Sequence, residues 1–540
     1  VKSDQGVRTG AAYDAGPMTV TRRNFLLGSG ALAALGMLSR ARLADARGLL
    51  TDPLLDQIIQ KALDAAKRAG ASYAEIRIAR RRFESINTRE RQVVSVGDSE
   101  SYGFGIRVIH GGAWGFAASS RVEAKEAERV AALAVDIAKA NAQVVKRPVA
   151  LAPVRGHVDV WQTPLSKDPF KIPIADKAEL LLAVNAEALK VKGVKFCQSS
   201  FAATGDWKLL ATSDGAYLEQ NITRVGPGFS VTAVEPDSGE FVSRAYEMPP
   251  SQAGWEYVEN SSLLADAPKV ADDALEKLGA PSVTPGKRDL ILAPSNLWLT
   301  IHESVGHPTE LDRAMGYEAN FAGTSFATPD KLNKLKFASP LVTLYADKTT
   351  PGGLATCGYD DEGVKTQRWD IVKDGLFVGY QTTREQAGWI GEPESRGTSY
   401  AQDFKSFPFQ RMPNVSLAPG RDDVGVKQLI ASTDDGIYVT GNGSWSIDQQ
   451  RYNFQFGGQM FYEVKGGKIT RALKDVAYQA NSLEFWRSCV ALGGQKEWQL
   501  HGSMEDGKGE PTQSNAVSHG CPPAKFTGVN ILNTNARRKA

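Results

Sequence analysis

The order of apolar and polar residues predicts two helix-sheet-helix segments before residue 280. From Asp52 to Gly70 apolar residues recur at helical period, and Asp, Pro and Gly suit the start and the end of a helix. Alternating residues follow at 73–78 and 92–96, and then at 102–110 and 113–118 on either side of the Gly111-Gly112 hairpin signal; residues 123–141 return to helical period. The same order then repeats, with an irregular stretch at 146–173, a helix at 175–192, strands at 194–244 and a helix at 265–278.

The pattern changes after residue 280. The segment from Pro281 to Gly286 carries two prolines and a glycine and predicts a domain boundary. A buried-strand pattern at 289–293 leads into the apolar stretch 297–301. Most of residues 340–540 predicts short strands joined by Gly-containing turns.

These patterns predict an α+β protein of several domains, because 540 residues exceed one ordinary core. We expect an N-terminal α/β domain with an antiparallel sheet at 47–145 and a central α/β domain at 146–280. A β-rich C-terminal domain at 287–540 should carry the helix of the candidate site.

Composition narrows the class of protein. The formal charge is +2, with 42% hydrophobic and 23% charged residues, which is typical of a soluble globular protein and not of a nucleic-acid binder. The four cysteines lie far apart without Cys-x-x-Cys spacing, which excludes a zinc ribbon. We expect free and mostly buried thiols. One structural disulfide, whose pairing the sequence does not give, is the alternative if the chain is exported.

The N-terminus resembles an export signal. Arg22-Arg23 precedes a short Gly- and Ala-rich apolar run to Leu38, with small residues suited to cleavage at 43–46. The run is shorter than the roughly 20 apolar residues of a membrane span. An amphipathic N-terminal helix is the alternative, although the segment has no polar face. We therefore expect residues 1–46 to be a twin-arginine signal peptide. The protein should be periplasmic or otherwise exported, and the mature chain should have no membrane span.

Candidate chemistry lies in the segment His302-Glu303-Ser304-Val305-Gly306-His307, an HExxxH motif. Histidines four apart lie about 40° apart around a helix and can share one metal, whereas a spacing of five places them about 140° apart. Two such histidines can share an ion only if the helix is locally wider or bent. Gly306 and the proline after the second histidine permit this, and we predict a π-type turn or kink at 305–308.

Each residue type in this motif suits metal chemistry. Neutral imidazoles hold a borderline Lewis acid such as zinc. Glu303 adjoins one ligand and suits a general base that takes a proton from water and passes it to the leaving amine. By itself the motif is a weak signal, and two unrelated structural histidines are the alternative.

The longer stretch HESVGHPTELDRAMGYEANFAGTSFAT resembles the signature of the TldD/PmbA family, and of TldD-like subunits in particular. Supporting similarities lie in order along residues 54–535: Gly103–Val108 with Gly115–Ala117, Asp360–Gly363, Arg411–Asn414 and Pro419–Gly420. The resemblance implies an N-terminal α/β domain, a β-rich C-terminal domain, and a protease for unfolded or unstructured peptides. It also implies a dimer, with a PmbA/TldE-like subunit or with a second copy of the chain.

The third metal ligand departs from the family pattern. The resemblance implies a cysteine in a late Cys-Gly-Lys motif, where this chain has Asp506 in MEDGKGEPTQ. A carboxylate oxygen is a legitimate zinc ligand, although a harder one that could favour iron or manganese. We predict a Zn²⁺ site formed by His302, His307 and Asp506. Cys521, His501 or the absence of a third protein ligand are the alternatives.

Two acidic residues after the motif, Glu310 and Asp312, could orient the histidines or form a solvated acidic turn. The expected function is a peptidase that accepts an extended substrate as an added strand. The alternatives are a non-catalytic peptide-binding partner subunit with a degenerate metal site, and a metal hydrolase acting on a non-peptide bond.

Overall fold

The computed structural model describes residues 52–535. The predicted signal peptide, its cleavage site and the paired arginines lie outside these residues. The helices are α1 Pro53–Arg68, α2 Ala124–Ala142, α3 Ile174–Leu189, α4 Glu256–Glu259, α5 Ala267–Gly279, α6 Pro294–Ile301, α7 Leu311–Ala314, α8 Arg384–Ala387, α9 Val426–Ala431 and α10 Ser482–Arg487. The strands are β1 Tyr73–Arg89, β2 Gln92–His110, β3 Ala113–Ser119, β4 Val158–Gln162, β5 Val194–Thr212, β6 Tyr217–Val234, β7 Phe241–Ala245, β8 Gly286–Leu292, β9 Leu344–Asp347, β10 Arg368–Lys373, β11 Leu376–Phe377, β12 Ser399–Tyr400, β13 Phe409–Gln410, β14 Val415–Leu417, β15 Asp435–Ile447, β16 Asn453–Lys465, β17 Lys468–Leu473, β18 Val476–Asn481, β19 Cys489–Leu492, β20 Gln499–Lys508, β21 Gln513–Cys521 and β22 Ala524–Asn533.

The first seven strands form one sheet, in the order β3-β2-β1-β5-β6-β4, with β7 on β6. Neighbours are antiparallel except for β4, which runs parallel to β6. The pairing of β1 with β5 joins the two predicted N-terminal segments into a continuous sheet. The domain boundaries given above stay a prediction.

The β1–β2 hairpin is longer than its apolar pattern indicates. Separate strands at 92–96 and 102–110 were wrong as a prediction, since β2 is one strand of 19 residues. Its first half is mostly exposed and residues 97–101 carry no apolar side chain, yet the ladder with β1 continues from Ile86↔Val96 to Arg80↔Tyr102. Backbone pairing alone extends the strand there.

Helix α2 packs on this sheet through a row of small side chains. Ala131, Ala134 and Ala138 are fully buried. Opposite them lies Gly115 of β3, where an added Cβ would stand 2.0 Å from the carbonyl oxygen of Ala134. Only glycine permits this close approach of strand and helix.

The C-terminal half is rich in β-structure, as predicted. Its main sheet has seven strands in the order β15-β8-β22-β18-β16-β17, with β19 on β22, and smaller sheets comprise β11-β10-β9-β14, β12-β13 and β20-β21. Helix α6 follows β8 directly and all eight of its residues are buried, with Leu297, Trp298, Leu299 and Ile301 in the main hydrophobic core. The expected α+β class with antiparallel sheets is confirmed.

Two of the stretches that carry the family resemblance contact each other. Arg107 of β2 binds Glu75 at 3.0 Å and Glu362 at 3.0 Å, and all three side chains are at most 3% exposed. Lys208 of β5 binds Asp361 at 2.7 Å. Loss of one partner of such a buried pair costs about 3–5 kcal/mol. These pairs therefore fix the first sheet against the C-terminal half.

All four cysteines are free and buried, as predicted. Within residues 52–535, no helix is both long and apolar enough to cross a bilayer.

Candidate metal centre

The HExxxH motif continues α6 without regular α-helical geometry. Residues His302–Gly306 form a π-helical turn, and His307–Thr309 form a 3₁₀ turn. The wide turn that we predicted is confirmed, although it begins at His302 and not at Val305. It brings the two histidine rings together, with centroids 4.6 Å apart. A π turn places residues i and i+5 on one face, which a straight helix cannot do.

Gly306 is required for packing beneath the turn. A Cβ at this position would stand 2.5 Å from Sδ and 2.8 Å from Cε of Met412, a side chain that is 1% exposed. Met412 belongs to the stretch Arg411–Asn414, one of the stretches that carry the family resemblance. This stretch therefore lies against the motif.

Asp506 joins the histidines from the two-stranded sheet β20–β21. Its Oδ1 lies 3.6 Å from Nε2 of His302 and 3.7 Å from Nε2 of His307. A β-bulge lies between Ser503 and Asp506, where residues 504 and 505 of β20 stand opposite the single residue 516 of β21. Such a bulge redirects the side chain that follows it. Arg411 holds the other oxygen, Oδ2, at 3.1 Å.

Glu310 binds the far side of His307. Its Oε2 lies 2.9 Å from Nδ1 of His307, and Lys508 and Arg313 hold the same carboxylate at 3.2 and 3.3 Å. The prediction that Glu310 could orient a histidine is confirmed. Asp312 instead binds Lys508 at 2.9 Å. Both carboxylates are buried, so a solvated acidic turn was the wrong alternative.

His519 binds the far side of His302 and was missed in the sequence. Its Nε2 lies 2.8 Å from Nδ1 of His302, and its Nδ1 lies 2.8 Å from the carbonyl oxygen of Val415. His519 is completely buried on β21. Only its neighbour Cys521 was considered as a ligand, although alternation along a strand places residues 519 and 521 on one face.

Hydrogen-bond partners assign the tautomers of the three histidines. A carbonyl oxygen only accepts, so Nδ1 of His519 carries the proton and its Nε2 accepts from Nδ1–H of His302. Glu310 likewise accepts from Nδ1–H of His307. In the neutral imidazoles both remaining Nε2 lone pairs then face the carboxylate oxygen of Asp506.

These three atoms fit a divalent cation. Ligands about 2.0–2.1 Å from a tetrahedral zinc ion lie about 3.4 Å from each other, close to the 3.6 and 3.7 Å observed. Three lone-pair donors without a shared proton repel one another unless a positive charge lies between them. His302, His307 and Asp506 are the residues that would hold the ion.

The pKa values of the three side chains also favour a bound cation. Burial favours the neutral acid of Asp506, but His302 and His307 in their protonated forms and the charge of Arg411 outweigh burial and hold its pKa well below the ordinary value. Burial and the charge of Arg451 lower the pKa of His307 to about 4. Burial also opposes protonation of His302, but Asp506 outweighs it and raises the pKa. A proton on His302 therefore competes with a cation for this site.

Glu303 lies beside the ligands. One of its oxygens is within 4.8 Å of donor atoms of both His302 and His307, and the three residues are all buried. Its Oε2 accepts a hydrogen bond from Arg451, which lies in the turn between β15 and β16. Glu303 thus faces the cluster as an ion-paired carboxylate.

The alternative third ligands lie elsewhere. The sulfur of Cys521 contacts the carbonyl oxygen of Pro294 at 3.7 Å, and burial raises the pKa of its thiol. Nε2 of His501 lies 3.3 Å from Oε1 of Gln499. Among the described residues, neither side chain bonds to His302 or His307. The roles of the four site residues stay predictions.

Models of a known protein family match most of the chain. Family models described as PmbA/TldA metallopeptidase domain 1, central domain and C-terminal domain match residues 74–138, 167–280 and 285–533. The fold and these matches define a metallopeptidase-type protein of three successive family segments. The chain belongs to the TldD/PmbA family.

Relatives match over most of their length. A metalloprotease of Methanocaldococcus jannaschii is 25% identical over 81% of this chain and 93% of its own. A protein named zinc metalloprotease TldD homolog, of Saccharolobus solfataricus, is 24% identical over 87% and 99%. Their names support a metallopeptidase with a divalent metal.

Solved structures share the fold. A putative modulator of DNA gyrase from Bacteroides thetaiotaomicron has a TM-score of 0.69 at 20% identity, covering 90% of this chain and 100% of its own. TldE from Thermococcus kodakarensis has a TM-score of 0.67 at 16% identity, covering 88% and 99%.

Proposed function

We propose that this chain is a metallopeptidase that hydrolyses peptide bonds in unfolded or unstructured polypeptides at a zinc ion held by His302, His307 and Asp506. The supporting observation is the convergence of two Nε2 atoms and one carboxylate oxygen, with both Nδ1 protons directed to acceptors on the far side. A bound ion would supply Lewis acidity towards a carbonyl oxygen and a water molecule.

The residues of the chain supply the remaining steps. Glu303 takes a proton from the attacking water and passes it to the leaving amine. Glu310 and His519 hold the two imidazoles in the tautomer that presents Nε2. Arg411 fixes Asp506 through its second oxygen. A dry site strengthens each of these interactions.

The sheet around Asp506 suits an extended substrate. In the part of the chain that the structure describes, β20 pairs only with β21. Glu505 and Gly507 on either side of Asp506 are exposed. A peptide that adds along this strand would satisfy its backbone rather than its side chains, which accounts for a preference for unstructured chains.

Metal content is the first test. The purified chain should carry about one equivalent of zinc, and His302→Ala and Asp506→Ala should both lose it. Loss with His302→Ala alone would move the third ligand away from Asp506. A chain without metal after reconstitution would favour the alternative of a peptide-binding partner subunit with a degenerate site.

Activity is the second test. An unfolded polypeptide should be cleaved by the loaded chain, cleavage should stop with a chelator, and Glu303→Gln should keep the metal while losing cleavage. Full activity in Glu303→Gln would remove Glu303 from the mechanism. Cleavage of an ester or amide outside polypeptides, with none of peptides, would favour a non-peptide hydrolase.

We further propose export by the twin-arginine pathway, on the strength of Arg22-Arg23 and the apolar run after them. Replacement of both arginines by lysine should retain the precursor in the cytoplasm. We also propose a dimer, either with a TldE-like subunit or with a second copy, because a structural neighbour is named TldE. Mass measurement of the purified chain alone separates a self-dimer from a monomer that awaits its partner.

A further inference from the structure

The turn between β15 and β16 brings one arginine to the metal cluster. Arg451 donates from NH1 to Oε2 of Glu303, and its side chain is 14% exposed. The side chain is therefore largely, but not completely, withdrawn from bulk solvent. Its charge also contributes to the lowered pKa of His307. Arg451 thus faces the reacting centre as well as Glu303.

This arginine has an unused donor. Its Nε is buried and has no hydrogen-bond partner among residues 52–535. A guanidinium carries five N–H groups in a fixed planar fork, and the pair with Glu303 uses one of them. Buried donors in folded proteins almost always have acceptors. An acceptor that arrives with a ligand accounts for the unused one here.

The backbone holds Arg451 in an uncommon conformation. Its φ of 61° lies in the left-handed region, which side chains other than glycine rarely adopt. Its N–H donates to Asp448 at 2.9 Å, and its carbonyl accepts from the hydroxyl of Ser482 at 2.7 Å. Such conformations persist where the surroundings impose them, often at functional sites.

The same turn is attached to the segment that follows the HExxxH motif. The backbone N–H of Thr324 donates to Gln449 at 2.9 Å, and that of Phe326 donates to Gln450 at 3.1 Å. Because motif and turn are linked in this way, the position of the guanidinium relative to Glu303 is set before a substrate arrives. Fixed donors of this kind stabilise a developing charge without reorganisation.

We propose that Arg451 donates hydrogen bonds to the oxygen of the scissile carbonyl and stabilises the negative charge that forms on it; this inference rests on the peptidase function proposed above. The water oxygen forms a bond to the carbonyl carbon, its proton passes to Glu303, and the carbonyl electron pair moves onto oxygen. As the oxyanion collapses, the C–N bond breaks and Glu303 returns the proton to the amine. Arg451 keeps its own protons throughout.

A simpler role would be charge compensation of Glu303 alone. Lysine retains the charge but lacks the planar fork, so Arg451→Lys separates the two roles. Arg451→Gln removes the charge. Arg487→Gln is the matched control, because Arg487 donates to the carbonyl oxygen of Lys336 at 2.6 Å on the exposed surface.

The experiment measures kcat and KM on an unstructured peptide blocked at both ends, together with the inhibition constant of a phosphinic peptide that mimics the tetrahedral oxyanion. The blocked ends exclude recognition of a terminal carboxylate. Zinc content of every variant is measured in parallel and should equal that of the unmodified chain. Removal of one oxyanion donor typically lowers kcat about 100- to 1000-fold.

For Arg451→Gln we expect a fall of this size in kcat, little change in KM, and a weaker phosphinic inhibitor by a similar factor. Arg451→Lys should recover only part of the loss, and guanidinium added to Arg451→Gly should restore activity. Full activity in Arg451→Lys, or an equal loss of substrate and inhibitor binding, would overturn the assignment. If the loaded, unmodified chain neither cleaves the peptide nor binds the inhibitor, the peptidase proposal itself fails.

Discussion

His519 offers a sharp test of how the metal centre is built. Its two ring nitrogens connect Val415 to His302 at 2.8 Å on each side, and none of the ring is exposed. Phenylalanine has a similar ring but neither nitrogen. His519→Phe therefore leaves the Nδ1–H of His302 and the carbonyl of Val415 buried without partners, at about 1–3 kcal/mol each.

The effect on the metal can be estimated separately. Loss of an outer hydrogen-bond partner of a histidine ligand typically weakens metal binding 10- to 100-fold. This corresponds to about 1.4–2.7 kcal/mol. His519→Gln keeps an amide oxygen that can accept from His302, so we expect it to bind zinc more tightly than His519→Phe does.

The assay is a competitive titration of zinc against a chromophoric chelator, with circular dichroism as a check on folding. His501→Phe is the matched control, because His501 pairs directly with His519 across the β20–β21 ladder and is also buried. It should leave the zinc affinity unchanged. A folded His519→Phe variant with the zinc affinity of the unmodified chain would refute the proposed effect of the His519–His302 hydrogen bond. Equal zinc affinities of the Phe and Gln variants would also refute it.

Three further outcomes follow from the structure. Gly306→Ala should lower the free energy of unfolding by about 1–3 kcal/mol, because the added methyl group clashes with Met412. Met412→Ala should be less destabilising in the Gly306→Ala background than alone, which a double-mutant cycle measured by urea unfolding tests. Burial lowers the folded-state pKa of His501 to about 4, below its ordinary 6.5, so the unfolded state binds a proton that the folded state does not. The free energy of unfolding should therefore fall as pH drops from about 6.5 to 4. If His501→Phe leaves the slope of this free energy against pH unchanged, the reasoning is wrong. All four thiols are buried, so none should react with a thiol reagent in the native protein and four should react after denaturation; burial raises the pKa of Cys197 and Cys489 to about 12.

Much of the fold followed from residue patterns. Helices α1, α2, α3 and α5 have apolar residues at helical period and lie within three residues of their expected bounds. The sheet around β1 was underestimated, because the outer half of β2 is mostly exposed. The short strand β4 was missed because it occurs in a segment rich in prolines, where pairing with β6 outweighs the local preference.

The site was predictable in part. Spacing alone required a distorted turn at HExxxH, and the structure has one. Asp506 came from the family resemblance, not from any local pattern. His519, Arg411 and Arg451 could not be found from the sequence, since each depends on register or on a turn distant in the chain. His519 reaches His302 across 217 positions, and no periodicity reports such a contact.

Asp506 and the histidine pair share an unusual origin: each depends on one extra residue in otherwise regular backbone, in the π turn or in the bulge of β20. Removing that residue would rotate a histidine about 100° around the helix, or turn the carboxylate to the opposite face of the strand. The core on either side need not change. In the proposed site, the three ligand side chains can therefore be brought together or separated by the insertion or deletion of a single codon.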